Sequence, residues 1–322
     1  MTTTNPKLID VDLFGNVIIK DELLRDRFIE PPFSILDTKT GNWQKRKRLW
    51  LSKGLKSEVG RDSNLLGKSA TLAGITDPDV KDIWNKNLRK EHLTELEYET
   101  ILPYLTKGNA TSVFDPALCE VLYNWFCDEG GRILDPFAGG SVRGIVANYL
   151  GYKYTGIDIR EEQINSNREQ ALQILPVDNQ PQWYCGDSNE VLDGEWTGNF
   201  DLVLSCPPYA DLEVYSNLSG DISNKPYKEF LKIYESIIYK SCRLLKSGGY
   251  ACFVVGEVRD KNGYYIGFVP DTITAFQKCG LKFYNEAILL NAVAGAGMRA
   301  AGNMKKQKLV KVHQNILIFK KP

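Results

Sequence analysis

Residues Asp201 to Tyr209 read DLVLSCPPY, an apolar run that stops at Ser205-Cys206 and turns into Pro207, Pro208 and Tyr209. Neither proline has an N–H to give to a β-ladder, so a strand must end there. The strand end therefore carries a thiol, a rigid backbone carbonyl and an aromatic ring. Three other strand-like runs end in groups that could hold a ligand. RILDPFAGGS ends in Asp135, Pro136, Phe137, Gly139, Gly140 and Ser141, YKYTGIDI in Asp158 and Ile159, and QWYCGDS in Asp187 and Ser188. Glycines let backbone approach a ligand, and the next helix offers free N–H groups. An acid about 20 residues beyond a glycine turn suits a ribose diol, and Gly186-Asp187-Ser188 suits an adenine amino group. Together these describe a pocket for an adenosine-containing ligand. A dinucleotide is the competing ligand, but a full GxGxxG is absent and the chain has no second mononucleotide half. No lysine succeeds the loop as it would in a P-loop, so a bulky sulfonium fits better than a pyrophosphate.

The elements that position these residues alternate. From residue 113 a helical pattern (SVFDPALCEVLYNWF) precedes RILDPF. Strand and helix then alternate through YKYTGIDI, QWYCGDS, DLVLSC and YACFVVGEV. The last two strands, LKFYNEAILLNAV and LVKVHQNILIF, are joined by a glycine-rich basic loop, AGAGMRAAGNMKKQK. The pattern predicts a doubly wound, Rossmann-like α/β sheet of seven strands with an antiparallel hairpin at one edge. Ligands on such a sheet sit outside the carboxyl ends of the strands. Residues 1–112 are more polar and lack this alternation, so they read as an N-terminal extension ahead of a domain at 113–322. Within the extension, TDPDVKDIWNKNLRKEHLTELEYE reads as a helix.

Composition narrows the class. The chain has 322 residues, 43% hydrophobic and 25% charged, with zero formal net charge. Any polyanion must therefore meet a local basic patch. Apolar runs fall short of the roughly 20 residues of a membrane span, and the first residues lack the pattern of a signal peptide. The seven cysteines form no CxxC pair, and there are two histidines, so no metal site is expected and reduced thiols in the cytoplasm are.

Taken together, DPFAGGS, GIDI, CGDS and SCPPY resemble class I S-adenosylmethionine-dependent methyltransferases, specifically the DNA amino-methyltransferases that modify N4 of cytosine or N6 of adenine. FIEPPFSILDT, FAGGSVRGIVA, SCPPYADLEVYS and HQNILIF are similar to DNA methylases of phages and prophages. The likeness covers residues 113–322, with FIEPPFSILDT extending it into the N-terminal region. It implies S-adenosyl-L-methionine as cofactor and DNA as partner, leaving monomer and homodimer open. Base recognition then falls to the N-terminal extension or to loops. Phe114, Asp115 and Pro116 match the family's helix motif that closes over the methionine end of the cofactor. The family's glycine turn usually runs DPFxGSG, and Ser141 replaces its last glycine. Its catalytic tetrapeptide begins with Asp, Asn or Ser, and here it begins with Cys206.

An exocyclic amine on a base is a poor nucleophile because its lone pair is conjugated into the ring. The resemblance implies that the first side chain of the tetrapeptide and the carbonyl of Pro207 accept its two hydrogens. Tyr209 would stack on a base flipped from the duplex. A thiol is a weak acceptor, so three readings stand for Cys206. Ser205, Asp211 or the Pro207 carbonyl supplies the acceptors, or the substrate is altered, or the site is impaired. Tyr215 is a candidate rim residue, with Arg299, Lys305, Lys306 and Lys308 as candidate phosphate contacts. In WQKRKRLW, Lys45, Arg46 and Arg48 either meet phosphates or sit on an amphipathic helix whose tryptophans face the core. The alternatives to a DNA enzyme are an RNA or small-molecule methyltransferase, and a degenerate fold that only binds DNA.

Overall fold

In a computed structural model the chain divides into two compact units, Met1–Pro32 and Phe33–Pro322. The structure describes residues 27–56, 114–209, 220–291 and 296–322, with isolated positions between 82 and 97. The helix expected at TDPDVKDIW falls largely outside them, as do Asp211 and Tyr215. Of the first unit residues 27–32 are described, and there the Arg27 guanidinium lies 5.1 Å from the centre of the Phe28 ring.

The second unit is built on one sheet. In chain order its elements are β1 (Ile35–Asp37), α1 (Gly41–Ser52), α2 (Pro116–Phe126), β2 (Arg132–Asp135), α3 (Val142–Tyr149), β3 (Lys153–Asp158), α4 (Glu161–Ile174) and β4 (Gln182–Cys185). Next come α5 (Ser188–Val191), β5 (Phe200–Ser205), α6 (Tyr227–Leu244), β6 (Leu245–Val255), α7 (Phe268–Lys278), β7 (Lys282–Leu290), α8 (Ala296–Met304) and β8 (His313–Lys320). The strand order is β1-β7-β8-β6-β5-β2-β3-β4. Every pairing is parallel except the two made by β8.

Among the described residues this sheet has eight strands rather than the expected seven, because Ile35–Asp37 pairs in parallel with Ile288–Leu290 and the Thr38 hydroxyl donates to the Leu290 carbonyl at 2.7 Å. The antiparallel hairpin of β7 and β8 stands toward one edge, as expected, with β8 between β6 and β7 and β1 covering the outer side of β7. The stretch before β8, expected as a glycine-rich basic loop, contains helix α8.

The sequence explains the elements that carry the site. In β5, Leu202, Val203 and Leu204 are fully buried, as a central parallel strand with both faces covered requires. Its ladder stops where the prolines begin. In α6 the buried residues Phe230, Tyr234, Ile237, Ile238, Ser241 and Cys242 recur at helical spacing along one stripe. That stripe packs over the sheet, where Phe230 and Tyr234 stack at 5.4 Å and both meet Phe268. Asp115 caps α2 by accepting from the Ala117 N–H, and Pro116 occupies the first turn. The order reverses between β2 and β5, since the chain leaves β2 outward to β3 and returns beside it as β5. A crevice therefore opens over these two carboxyl ends.

Candidate active site

A cavity lies at that switch point. From the β2 turn it takes Pro136, Phe137, Gly139 and Gly140; from the ends of β3 and β4 it takes Asp158, Ile159, Gly186, Asp187 and Ser188. Phe114 also lines it. So do Cys206, Pro207, Pro208 and Tyr209, together with Asp221 and Ile222 from the segment before α6. The topology thus unites the strand-end residues read from sequence with the Pro-Pro-Tyr segment.

The turn is held by its own hydrogen bonds. Gly139 has φ +52°, and a Cβ there would meet nothing within 4 Å, so its backbone faces open space. Its N–H donates to Asp158 Oδ2 at 2.9 Å, and its carbonyl accepts from Asn167 Nδ2 at 2.7 Å. The second oxygen of Asp158 accepts from the Arg160 N–H at 2.9 Å. Burial pushes the Asp158 carboxyl above its ordinary value, opposed by those two N–H groups and the Arg160 charge. Ser188 donates to the Pro136 carbonyl at 2.5 Å, and Asp187 accepts from the Asn189 N–H. These acids, with Ile159 and Ile222 as apolar walls and an open glycine face, fit a ribose, an adenine and a cationic sulfonium. S-adenosylmethionine is the cofactor this donor set suits.

Five expected residues lie behind the cavity wall rather than in it: Asp135, Ser205, Ser141, Asp115 and Pro116. Asp135 is fully buried. Its Oδ2 accepts from Arg143 Nε at 2.5 Å and from the Tyr154 hydroxyl at 2.7 Å. Its Oδ1 accepts from the Ser205 hydroxyl at 2.6 Å and the Phe137 N–H at 3.2 Å. Ser205 is fully buried and does not line the cavity. Ser141 donates to Gln170 Oε1 at 2.6 Å. Its φ is −68°, so this position does not need the glycine usual in the family. Asp115 and Pro116 start α2, and Asp115 also accepts from the Trp43 indole and pairs with Lys47, both at 3.2 Å.

Arg143 was not apparent from sequence, where an arginine second in an apolar helix looks incidental. Its side chain lines the cavity. Its Nη2 donates to the carbonyls of Phe137 and Ala138 at 2.6 and 2.8 Å, and its guanidinium lies 4.6 Å from the centre of the Phe114 ring. Burial works most strongly against its charge, but the adjacent Asp135 carboxylate, its hydrogen bond, Tyr154 and Cys206 together outweigh that and raise its pKa. Gln314 also escaped notice. From the start of β8 it donates to Tyr209 Oη at 2.7 Å, and that hydroxyl lies 3.7 Å from Cys206 Sγ. The Tyr209 ring meets Phe268 edge-on, with centroids 6.0 Å apart.

The basic candidates divide. In α1, Trp43 and Trp50 are buried at 1% and 4% exposure. Arg46 pairs with Glu120 at 2.7 Å, and the Trp50 indole donates to the same carboxylate. Lys45 and Arg48 are both exposed. This is the arrangement of a helix docked by its tryptophans onto α2. Arg299, Lys305 and Lys306 are exposed on and after α8, and Lys308 is half-buried.

Residues 36–169 match the N6/N4 methyltransferase family, described as DNA methylase. No curated protein matches the sequence. Among solved structures, TrmN from Thermus thermophilus is 14% identical, with a TM-score of 0.43 over 64% of this chain and 49% of its own. TTHA0409, a proposed DNA modification methylase also from Thermus thermophilus, is 25% identical, with a TM-score of 0.32 over 42% of this chain and 52% of its own. Magnesium protoporphyrin IX methyltransferase (ChlM) from Synechocystis PCC 6803, with bound SAM, is 12% identical, with a TM-score of 0.40 over 75% of this chain and 90% of its own. The chain spans about half the length of TrmN and of TTHA0409.

Proposed function

We propose, for a chain that carries an S-adenosylmethionine-dependent methyltransferase domain, that it methylates an exocyclic amine of a base in DNA, N4 of cytosine or N6 of adenine. The observation that carries this reading is the shared cavity. The glycine turn, the acids of β3 and β4, and Cys206-Pro207-Pro208-Tyr209 all line it.

When bound, S-adenosylmethionine supplies an electrophilic methyl group. Asp158 would hold the ribose, Ile159 and Ile222 would wall the adenine site, and Asp187 would receive its amino group. On the substrate side, the Pro207 carbonyl accepts one hydrogen of the amine, and the two prolines keep that oxygen from turning away. The Cys206 side chain is the second, weaker acceptor. Hydrogen bonds from both amine hydrogens to these acceptors would localise the lone pair on the nitrogen, and after transfer, with the methyl–sulfur bond broken to leave a neutral thioether, one of the two protons would leave to water. Tyr209, fixed by Gln314 and Phe268, presents its ring to a base that must leave the helix to reach the cavity. Positioning and electrostatics account for the catalysis, with no covalent bond to the protein.

The test is transfer of isotopically labelled methyl from S-adenosylmethionine to duplex DNA, then digestion and identification of the modified nucleoside by mass spectrometry. N4-methylcytosine or N6-methyladenine is expected. Cofactor binding without transfer to any DNA refutes the reading, and transfer to RNA alone reassigns the substrate.

A further inference from the structure

The connection from β6 to α7, residues 256–267, has both feet on Tyr209. A Cβ on Gly256 would lie 3.9 Å from Tyr209 Cζ and 3.8 Å from Lys311 Nζ. Phe268, at the other foot, packs against the Tyr209 ring. Between the feet the chain forms a braced turn. The Ile266 N–H donates to Val258 O at 3.0 Å, Asp260 N to Tyr264 O at 2.8 Å, and Gly263 N to Asp260 O at 2.9 Å. Arg259 bridges to Tyr265, donates from Nη1 to the Gly263 carbonyl at 2.7 Å, and lies 3.9 Å from the centre of the Tyr265 ring. Glu257 accepts from the N–H groups of Gly267 and Phe268, which fastens the turn to α7.

The display of this turn is unusual for a loop tip. Tyr264 is 73% exposed and Tyr265 52%, and Lys261 is exposed beside them. The one acid at the tip, Asp260, is committed to the Tyr264 N–H at 2.8 Å. Gly263 has φ +91°, and a side chain on it would overlap the Lys308 ammonium. Lys308 thus lies across the tip, three residues from the exposed Lys305 and two from the exposed Lys306. Among the described residues, none of these four lysines is in an ion pair. A rigid aromatic ring beside such ammonium groups is the combination that stacks on a base and neutralises the flanking phosphates.

We propose that residues 257–267 form a DNA-contacting finger. Tyr264 stacks on an unpaired base beside the extruded nucleotide, and Lys261 and Lys308 bind the adjoining phosphates. Arg259 is a positioning residue that keeps the tip in shape. The proposal rests on DNA being the substrate and names the element of this site that grips it.

The experiment uses the full chain and fluorescence anisotropy on a labelled duplex carrying a single mismatch, titrated at several salt concentrations. Tyr264→Ala weakens binding about five- to hundredfold and Tyr264→Phe retains it. Lys261→Ala and Lys308→Gln each reduce the slope of log K against log salt by about one. Cofactor affinity, measured by calorimetry, stays unchanged in all four. Binding within twofold of wild type for Tyr264→Ala, an unaltered salt slope for both lysine variants, or a wild-type chain with no affinity for the duplex overturns the inference. Methyl transfer by wild type is scored separately. Its absence refutes the proposed reaction, while the anisotropy still decides the finger.

Discussion

Replacing Arg143 should be among the most damaging single changes in this protein. Its guanidinium and the Asp135 carboxylate form an ion pair at 2.5 Å with side chains 6% and 0% exposed. Removing one partner of such a pair strands a charge in a medium that solvates it poorly, at about 3–5 kcal/mol. Arg143→Met keeps much of the apolar volume, so the loss isolates the charge and the bonds to Phe137 and Ala138. Against a total stability of about 5–15 kcal/mol, that is about a fifth at the least. With a denaturant slope of about 3 kcal/mol/M, the urea midpoint falls by roughly 1–1.7 M. A further signature separates this cause from a packing defect. Asp135→Asn combined with Arg143→Met should cost less than the sum of the single changes, by about 0.5–3 kcal/mol. A loss under about 1 kcal/mol for Arg143→Met, or strict additivity, would refute the electrostatic account.

Further outcomes can be checked at the same site. Cys206→Ala should lower kcat about fivefold, the worth of one modest hydrogen bond, while Cys206→Ser matches or exceeds wild type; single-turnover methyl transfer reads both, and equal rates for all three would remove the thiol from the mechanism. Burial raises the Asp158 pKa above 3.8, and on the proposed reading the ribose is held by the ionised form. Cofactor affinity should therefore begin to fall at a higher pH than an ordinary aspartate would give, and calorimetry should find the dependence flattened in Asp158→Asn. Trp43→Ala removes a fully buried indole and a donor to Asp115, so urea denaturation should show a loss of about 3–5 kcal/mol; a change below about 1 kcal/mol would mean that α1 is not docked through it.

Much of the fold was legible because β2 to β6 alternate with helices, and β2, β5 and β6 carry buried apolar runs ended by a turn signal. The eighth strand was not. Ile35–Asp37 is three residues long with Ile35 59% exposed, too short for periodicity to register, and it exists because the β7 edge offers unpaired groups to cover. The insertion of β8 between β6 and β7 was equally hidden, since a hairpin reads the same from sequence whichever of its strands faces the sheet. In WQKRKRLW the charges suggested phosphates. The placement of the tryptophans and the pairing of Arg46 with Glu120 depend on α2, about 70 residues away, which local pattern does not report.

For the site, strand-end residues were legible because the parallel topology gathers carboxyl ends by construction. The support beneath them was not, and it clarifies why a serine precedes the cysteine. Ser205 is fully buried and donates to the same Asp135 carboxylate that receives Arg143, Tyr154 and the Phe137 N–H. One anion therefore joins the end of β5, the end of β2 and a residue of β3. Arg143 extends that junction to the carbonyls of the glycine turn. The backbone that leads into Cys206 and Pro207 and the backbone that faces the cofactor share a single buried anchor. Their separation is then set by hydrogen-bond lengths rather than by loop conformation, which is what a direct transfer sensitive to displacements of an ångström requires. Ser205→Ala would relax one arm of this junction without touching the cavity. It should lower kcat more than it changes either cofactor affinity or stability, and a variant with unchanged kcat would show that the strand end is positioned by the prolines alone.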